Sequence, residues 1–155
     1  MNQRWKPNVT VAAVIERDGR FLLVEEETAG GLRFNQPAGH LEADESLLHA
    51  VVRETMEETA HSFTPEYLVG IYLWPRPQGD ATFLRFAFGG RVGESNLAHT
   101  LDIGIVRTVW MTLEELHATR AHHRSPVVLQ CVEDWLSGRR YGLELLRHYD
   151  NGSLS

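Results

Sequence analysis

The stretch that decides the fold runs from Gly39 to His61 and reads GHLEADESLLHAVVRETMEETAH. Its apolar and small residues recur at helical spacing, which predicts a helix from Ser46 to about Thr59. At about 100° per residue one face gathers the side chains that we expect to pack on a sheet. Those side chains are Leu48, Val51, Val52, Thr55 and Thr59. The preceding segment, Glu42-Ala43-Asp44, is predicted to form the helix N-terminus, where acids suit the helix dipole.

Three carboxylates, those of Glu54, Glu57 and Glu58, fall on an arc that adjoins this apolar face. They repel one another, and Arg53 is the one arginine or lysine between residues 42 and 58. Acid-rich helices are usually solvated surfaces, and that interpretation stays open here. Two features favour a metal site instead: the acids border the buried face, and a Gly-containing turn precedes them. Converging oxygen ligands suit Mg²⁺ or Mn²⁺, which would neutralise charge on phosphate oxygens.

The segment resembles the Nudix box, a glycine followed at fixed intervals by a glutamate, an Arg-Glu pair and a Glu-Glu pair. The matching residues are Gly39, Glu45, Arg53, Glu54, Glu57 and Glu58. Thr55 and His61 stand where the pattern has aliphatic residues, and Ala60 replaces its closing glycine. A residue after a helix commonly takes positive φ, so alanine there is expected to cost about 1 kcal/mol. We expect lower stability or a reshaped helix end, with the ligands retained.

The resemblance implies a role for each box residue. Metal ligation falls to Glu54, Glu57 and Glu58, with the Gly39 carbonyl completing the site. Arg53 would orient the glutamates, while Glu45 would pair with Arg53 or reach the metal through water. The general base is named first as Glu54, and two further candidates, Glu94 and Asp102, stay open. The predicted catalytic set is therefore Glu54, Glu58, Arg53 and Glu45.

Outside the box, the likeness extends to a bacterial phosphatase subgroup of the same family over roughly residues 5–146. It is carried by WKPNVTVA, FNQPAGHLEADESL, FLRFAF, HRSPVV and SGRRYGLELL. It implies an α+β fold, an α/β/α sandwich around a mixed sheet. It also implies hydrolysis of nucleoside di- and triphosphates and of thiamine-precursor diphosphates such as hydroxymethylpyrimidine diphosphate, with phosphate released.

Substrate contacts are predicted from residue chemistry. Arg85 and Arg124 are candidates for binding phosphate oxygens, and Gln36 is expected to face the phosphate side of the cleft. Trp74 and Phe34 could stack on a base, although single aromatics on strands usually belong to the core. The eight histidines suggest zinc only weakly, because no cysteine cluster or HExxH pattern accompanies them.

Alternating and β-branched runs predict strands at residues 9–16, 21–25, 32–35, 67–74, 82–88 and 105–111. The Asp18-Gly19 pair predicts a hairpin turn, and Gln36 to Gly39 is predicted to break regular structure. Thr112 to Glu115 is a capping box that opens a short helix, and a last helix is predicted from about residue 125 to 137. We treat residues 1–155 as one domain.

The composition is that of a globular protein, with 43% hydrophobic and 23% charged residues and a net charge of −6. That charge argues against a nucleic-acid polymer as a partner, and no apolar run is long enough to span a membrane. The single cysteine, Cys131, fits a reducing compartment, so we expect a cytoplasmic protein. The resemblance implies a small phosphorylated substrate as partner, and we expect a monomer or a homodimer.

Three alternatives remain at this stage. The chain could be a pyrophosphatase of the ADP-sugar type, which Pro75 and Pro77 after the box permit. It could instead be a Nudix-fold nucleotide-binding module with weak turnover, and Ala60 is the feature that points there. An acidic interaction protein without any site is the third.

Overall fold

The computed structural model describes residues 3–96 and 98–150. Within these residues the strands form two sheets and three α-helices pack against them. The strands are β1 (Asn8–Val14), β2 (Glu16–Arg17), β3 (Arg20–Thr28), β4 (Gly31–Asn35), β5 (Ala38–His40), β6 (His61–Pro75), β7 (Thr82–Ser95), β8 (Ile105–Met111) and β9 (Tyr141–Gly142). The helices are α1 (Leu47–Thr59), α2 (Leu113–Ala118) and α3 (Val127–Leu136).

The larger sheet has the order β5-β1-β7-β6-β9 and is mixed, because β1 and β7 run parallel while the other pairs are antiparallel. In the smaller sheet β3 is central and pairs with β2, β4 and β8. The predicted α+β class with a mixed sheet is therefore confirmed.

Two hydrophobic clusters lie on opposite sides of the larger sheet. On one side Val11 and Phe88 pack with Val51 of α1. On the other side Val14 and Val69 pack with α3 through residues such as Val128. Both clusters are built from alternate residues of the same strands, as the two-residue period of a strand requires. As a result, α1 covers one face of the larger sheet, and the end of the sheet at β5 is left open to line a cavity.

The helix α1 begins at Leu47, one residue after the predicted start. The hydroxyl of Ser46 accepts a hydrogen bond from the His49 N–H at 3.0 Å, which caps the helix. The predicted N-terminal acids, Glu42 and Asp44, lie before the helix, and its first turn carries no acid. That prediction was wrong because Asp44 has φ of 62°, a left-handed turn conformation that cannot continue into a helix.

The predicted apolar face of α1 is correct for Val51, Thr55 and Thr59, which are buried. It is wrong for Val52, whose side chain is 38% exposed, while Ala50 is buried in its place. Thr55 and Thr59 bury their hydroxyls by donating to the backbone carbonyls one turn earlier, at 2.7 Å each. The buried face of α1 is therefore rotated slightly toward Glu54, Glu57 and Glu58.

Two regions of the sheet differ from the sequence prediction. Ala38 and Gly39, predicted to be irregular, form β5 together with His40 because their backbone pairs with β1. The strands β6 and β7 start earlier or end later than predicted and pair along their length as a long hairpin. Bulges near Phe63 and Tyr67 absorb the irregular sequence, so local patterning alone underestimates these strands.

Across the described ranges, 3–96 and 98–150, no helix is long and apolar enough to span a membrane.

Candidate active site

Arg53 forms hydrogen bonds with three other residues of the box. Its Nε and Nη2 donate to the two carboxylate oxygens of Glu45, at 2.6 and 2.9 Å. Its Nη1 donates to Glu54 at 2.7 Å and to Glu57 at 3.1 Å. A further bond from Nη2 reaches the carbonyl of His40 at 3.0 Å. The planar guanidinium therefore ties the helix to β5 and fixes three carboxylates at once.

Glu45 precedes the helix but its carboxylate is largely shielded from solvent. The two-pronged hydrogen bond from Arg53 lowers the pKa of Glu45. Both carboxylate oxygens of Glu45 are bonded to Arg53, and Glu45 therefore orients the Arg53 guanidinium directly. This placement agrees with the pairing expected for Glu45.

Glu54 lies against Gly39 of β5. A side chain at Gly39 would overlap the Glu54 carboxyl group, so glycine is required there by close approach. Burial raises the pKa of Glu54, and the hydrogen bond from Arg53 partly opposes that effect. The structure thus brings the first glycine of the box beside its first helical glutamate.

Glu58 is the box acid whose pKa is raised most strongly by burial. Its side chain accepts a hydrogen bond from the Ala38 N–H at 2.9 Å, and the residue is 8% exposed. Burial raises the pKa of Glu58 to about 9, the Ala38 hydrogen bond lowers it, and the neighbouring acids Glu54 and Asp102 raise it further. A buried acid of this kind is stabilised by a cation or by a proton.

Asp102 joins this cluster from a loop distant in sequence. Carboxylate oxygens of Glu54, Glu57 and Asp102 lie within 4.8 Å of one another. The Asp102 N–H donates to the Glu57 carbonyl at 3.0 Å, which fastens the loop to the end of α1. Sequence reasoning named Asp102 only as an alternative base, and no local pattern predicted its contact with α1.

This donor set fits a hard divalent cation. The ligands on offer are carboxylate oxygens, which Mg²⁺ and Mn²⁺ prefer. Burial raises the pKa of both Glu54 and Glu58, and a bound cation would stabilise their charged forms. Glu58 and Gly39 border the group formed by Glu54, Glu57 and Asp102 without belonging to it.

A cavity of about 740 Å³ opens beside Gly39 and His40 of β5. The cavity is large enough for a nucleotide-sized ligand. Its lining includes two predicted phosphate contacts, Arg85 and Arg124, and the predicted stacking residue Trp74. The other lining residues are both polar and apolar, and they include further arginines at positions 33, 76 and 120. Gly39 of the predicted box therefore lines the same opening as the predicted substrate contacts Arg85, Arg124 and Trp74.

An aromatic wall closes one side of this cavity. The rings of Trp74 and Phe83 stack with centroids 6.1 Å apart and planes 22° from parallel, and His40 lies 6.4 Å from Phe83. Phe83 was missed by sequence reasoning, although it stands two residues before Arg85 and so shares its face of β7. Phe34, the other predicted stacking residue, is buried in the core cluster and does not line the cavity.

The two arginines are held differently. Arg124 donates to the Glu26 carboxylate at 2.7 Å, so its charge is paired. Arg85 donates to the side-chain oxygens of Gln36 at 2.8 Å and Asn35 at 2.9 Å. Gln36 is 1% exposed and lies beneath Arg85, one layer deeper than the cleft-facing position we predicted. Its Nε2 donates to the Val128 carbonyl, and this hydrogen bond holds the side chain inward.

Comparison with known proteins identifies the class. Residues 5–131 match the NUDIX domain family. A solved NUDIX hydrolase from Nitrosomonas europaea is 51% identical, covers 95% of this chain and all of its own, and superposes with a TM-score of 0.92. The chain therefore belongs to the Nudix hydrolase family.

Within that family the chain is similar to Phosphatase NudJ of Escherichia coli K12. The identity is 39% over 148 residues, which are 94% of each protein. The NUDIX domain of Shewanella oneidensis NrtR, solved with ADP ribose, covers 86% of this chain at 19% identity and a TM-score of 0.68, which shows a shared fold.

Proposed function

We propose that this chain is a divalent-metal-dependent phosphohydrolase that cleaves phosphate anhydrides of nucleoside di- and triphosphates and of thiamine-precursor diphosphates such as hydroxymethylpyrimidine diphosphate, releasing phosphate. The observation that carries the proposal is that Ala38 and Gly39 of β5 contact the box acids Glu58 and Glu54 and also line the cavity. Similarity to a phosphatase over nearly the whole chain supports the choice of reaction.

Glu54, Glu57, Glu58 and the Gly39 carbonyl are the proposed metal ligands, and Asp102 is an added candidate because of its position beside Glu54 and Glu57. Mg²⁺ is the expected ion and Mn²⁺ a possible substitute. When bound, the metal supplies charge neutralisation on the phosphate oxygens.

Glu54 is the proposed general base. Its pKa is raised by burial, which favours acceptance of a proton from the attacking water. Arg53 holds the Glu54 carboxylate through a 2.7 Å hydrogen bond, and Glu45 holds Arg53 in turn. Asp102 is the alternative base because its carboxylate lies beside those of Glu54 and Glu57, whereas Glu94, near the end of β7, is not in that group of the described acids.

The cavity wall is proposed to bind the rest of the substrate. Arg85 and Arg124 would bind phosphate oxygens, since guanidinium groups suit phosphate geometry. Trp74, backed by Phe83, would stack on the heteroaromatic ring. Gln36 would contribute through its hydrogen bond with Arg85.

The proposal is tested by incubating the pure protein with Mg²⁺ and a panel of diphosphates, triphosphates and ADP-ribose, and by quantifying phosphate and nucleotide products. Glu58→Gln should abolish phosphate release, whereas Glu27→Gln, an exposed change on β3, should leave it intact. AMP from ADP-ribose as the main product would instead indicate an ADP-sugar pyrophosphatase. Ligand binding without any product would indicate a binding module.

A further inference from the structure

Arg85 carries a positive charge that no carboxylate balances directly. Its hydrogen bonds run to the neutral amide oxygens of Gln36 and Asn35, and no carboxylate within residues 3–96 and 98–150 lies within 4.0 Å of its guanidinium. The neighbouring cavity arginine, Arg124, differs in this respect because it pairs with Glu26. An arginine oriented by amides keeps its full charge available to an anionic ligand.

Gln36 must be an amide for a structural reason. Its Nε2 donates to the Val128 carbonyl at 2.7 Å, while its Oε1 accepts from Arg85 at 2.8 Å. The two bonds fix which end of the amide faces Arg85. A carboxylate at this position could accept from Arg85 but could not donate to Val128. The buried network therefore admits glutamine and disfavours a neutralising glutamate.

Asn35 completes the arrangement from the end of β4. Its Oδ1 accepts from Arg85 at 2.9 Å, and its Nδ2 faces Glu26 at 3.5 Å. Asn35 is buried but adjoins the cavity. The two amides thus hold both terminal nitrogens of the Arg85 guanidinium, which restricts its plane without cancelling its charge.

We propose that Asn35 and Gln36 are positioning residues that present Arg85, with its charge uncompensated, as the anchor for a phosphate group of the substrate. The inference rests on the proposed function in identifying the anion as a substrate phosphate. A carboxylate in place of either amide would pair with Arg85 and compete with the phosphate. The loss would therefore appear in substrate binding, while the box residues that perform hydrolysis stay in place.

The test uses Asn35→Asp and Gln36→Glu in the full chain, each adding one negative charge beside Arg85. We expect KM to rise at least about tenfold with little change in kcat, because a charge-assisted hydrogen bond to phosphate is weakened. Inhibition by inorganic phosphate should weaken by a similar factor. Asn8→Asp, an exposed change of the same charge on β1 that does not line the cavity, should leave KM unchanged.

A double-mutant cycle separates positioning from a general structural effect. Once Arg85 is replaced by glutamine, Asn35→Asp should cause no further rise in KM. Additive losses would overturn the proposal, as would unchanged KM in Asn35→Asp or a loss confined to kcat. If Gln36→Glu fails to fold by circular dichroism, Asn35→Asp decides the question.

Binding of inorganic phosphate in EDTA keeps this inference separate from the proposed function. Calorimetry should show weaker binding in Asn35→Asp than in the wild type, whether or not the wild type hydrolyses any diphosphate. Absence of metal-dependent hydrolysis with this difference intact would overturn only the proposed function. Equal phosphate binding by both proteins would overturn the anchor role of Arg85.

Discussion

Glu58→Gln is expected to stabilise the metal-free protein while abolishing hydrolysis. The glutamate is 8% exposed, and burial raises its pKa from 4.5 to about 9. The folded protein therefore binds more protons than the unfolded chain between these values. Stability attributable to Glu58 is full below pH 4.5 and falls as the pH rises toward 9. Glutamine retains the acceptor for the Ala38 N–H, so the substitution removes the charge and keeps the bond.

The magnitude follows from linkage. A tenfold change in proton affinity corresponds to about 1.4 kcal/mol, so at pH 7.5 the glutamate costs on the order of 4 kcal/mol relative to pH 4.5. At pH 5 the cost is below about 1 kcal/mol by the same relation. Glu58→Gln should therefore unfold at clearly higher urea concentration at pH 7.5, and at nearly the same concentration at pH 5.

The assay is urea unfolding in EDTA from pH 5 to pH 8, repeated with Mg²⁺. Wild-type stability should rise on adding Mg²⁺, whereas Glu58→Gln should gain little because a proposed ligand is gone. Glu27→Gln serves as the control and should change the free energy of unfolding by less than about 0.5 kcal/mol. Parallel pH dependences for the wild type and Glu58→Gln would refute the reasoning.

Three further substitutions test the local geometry. Ala60→Gly should raise the free energy of unfolding, measured in urea, by about 0.5 kcal/mol. Relief of the left-handed strain at φ 59° is worth about 1–2 kcal/mol, which exceeds the cost of about 0.4–1 kcal/mol for the added chain entropy of glycine. A destabilised variant would contradict this prediction. Gly39→Ala should lower kcat about 100-fold in a folded protein, because its methyl displaces the Glu54 carboxyl group; near-normal kcat would show that the group is free to move. Arg53→Lys should lower kcat about 10- to 100-fold with KM nearly unchanged, because lysine cannot reproduce the bidentate contact with Glu45. A change in KM alone would instead assign Arg53 to substrate binding.

Short-range features were predictable because their causes lie within a few residues. Asp18 and Gly19 both have positive φ, as the hairpin signal requires, and Thr112 caps α2 through the Glu115 N–H as its motif predicts. Ala60 takes the left-handed conformation expected after the helix. The spacing of the box likewise placed Arg53 within reach of Glu57, because residues four apart on a helix are neighbours.

Long-range contacts were decided by the tertiary structure. The segment Ala38–His40 becomes β5 only because β1 offers it a partner, and that pairing puts Gly39 against Glu54. Asp102 reaches the acids through a loop whose backbone bonds to the end of α1. Nothing in the neighbouring sequence encodes these distances.

By itself, the sequence determined the class of fold and the acidic helix, because periodicity, capping and fixed motif spacing are local, and it predicted the metal ligands that we propose. Only the tertiary structure decided that Trp74 faces Phe83, that Phe34 belongs to the core, and that Gln36 lies beneath Arg85. A strand pattern specifies alternation but not which neighbour covers each face. Pairing across the sheet supplies that missing information, and with it the shape and charge of the cavity.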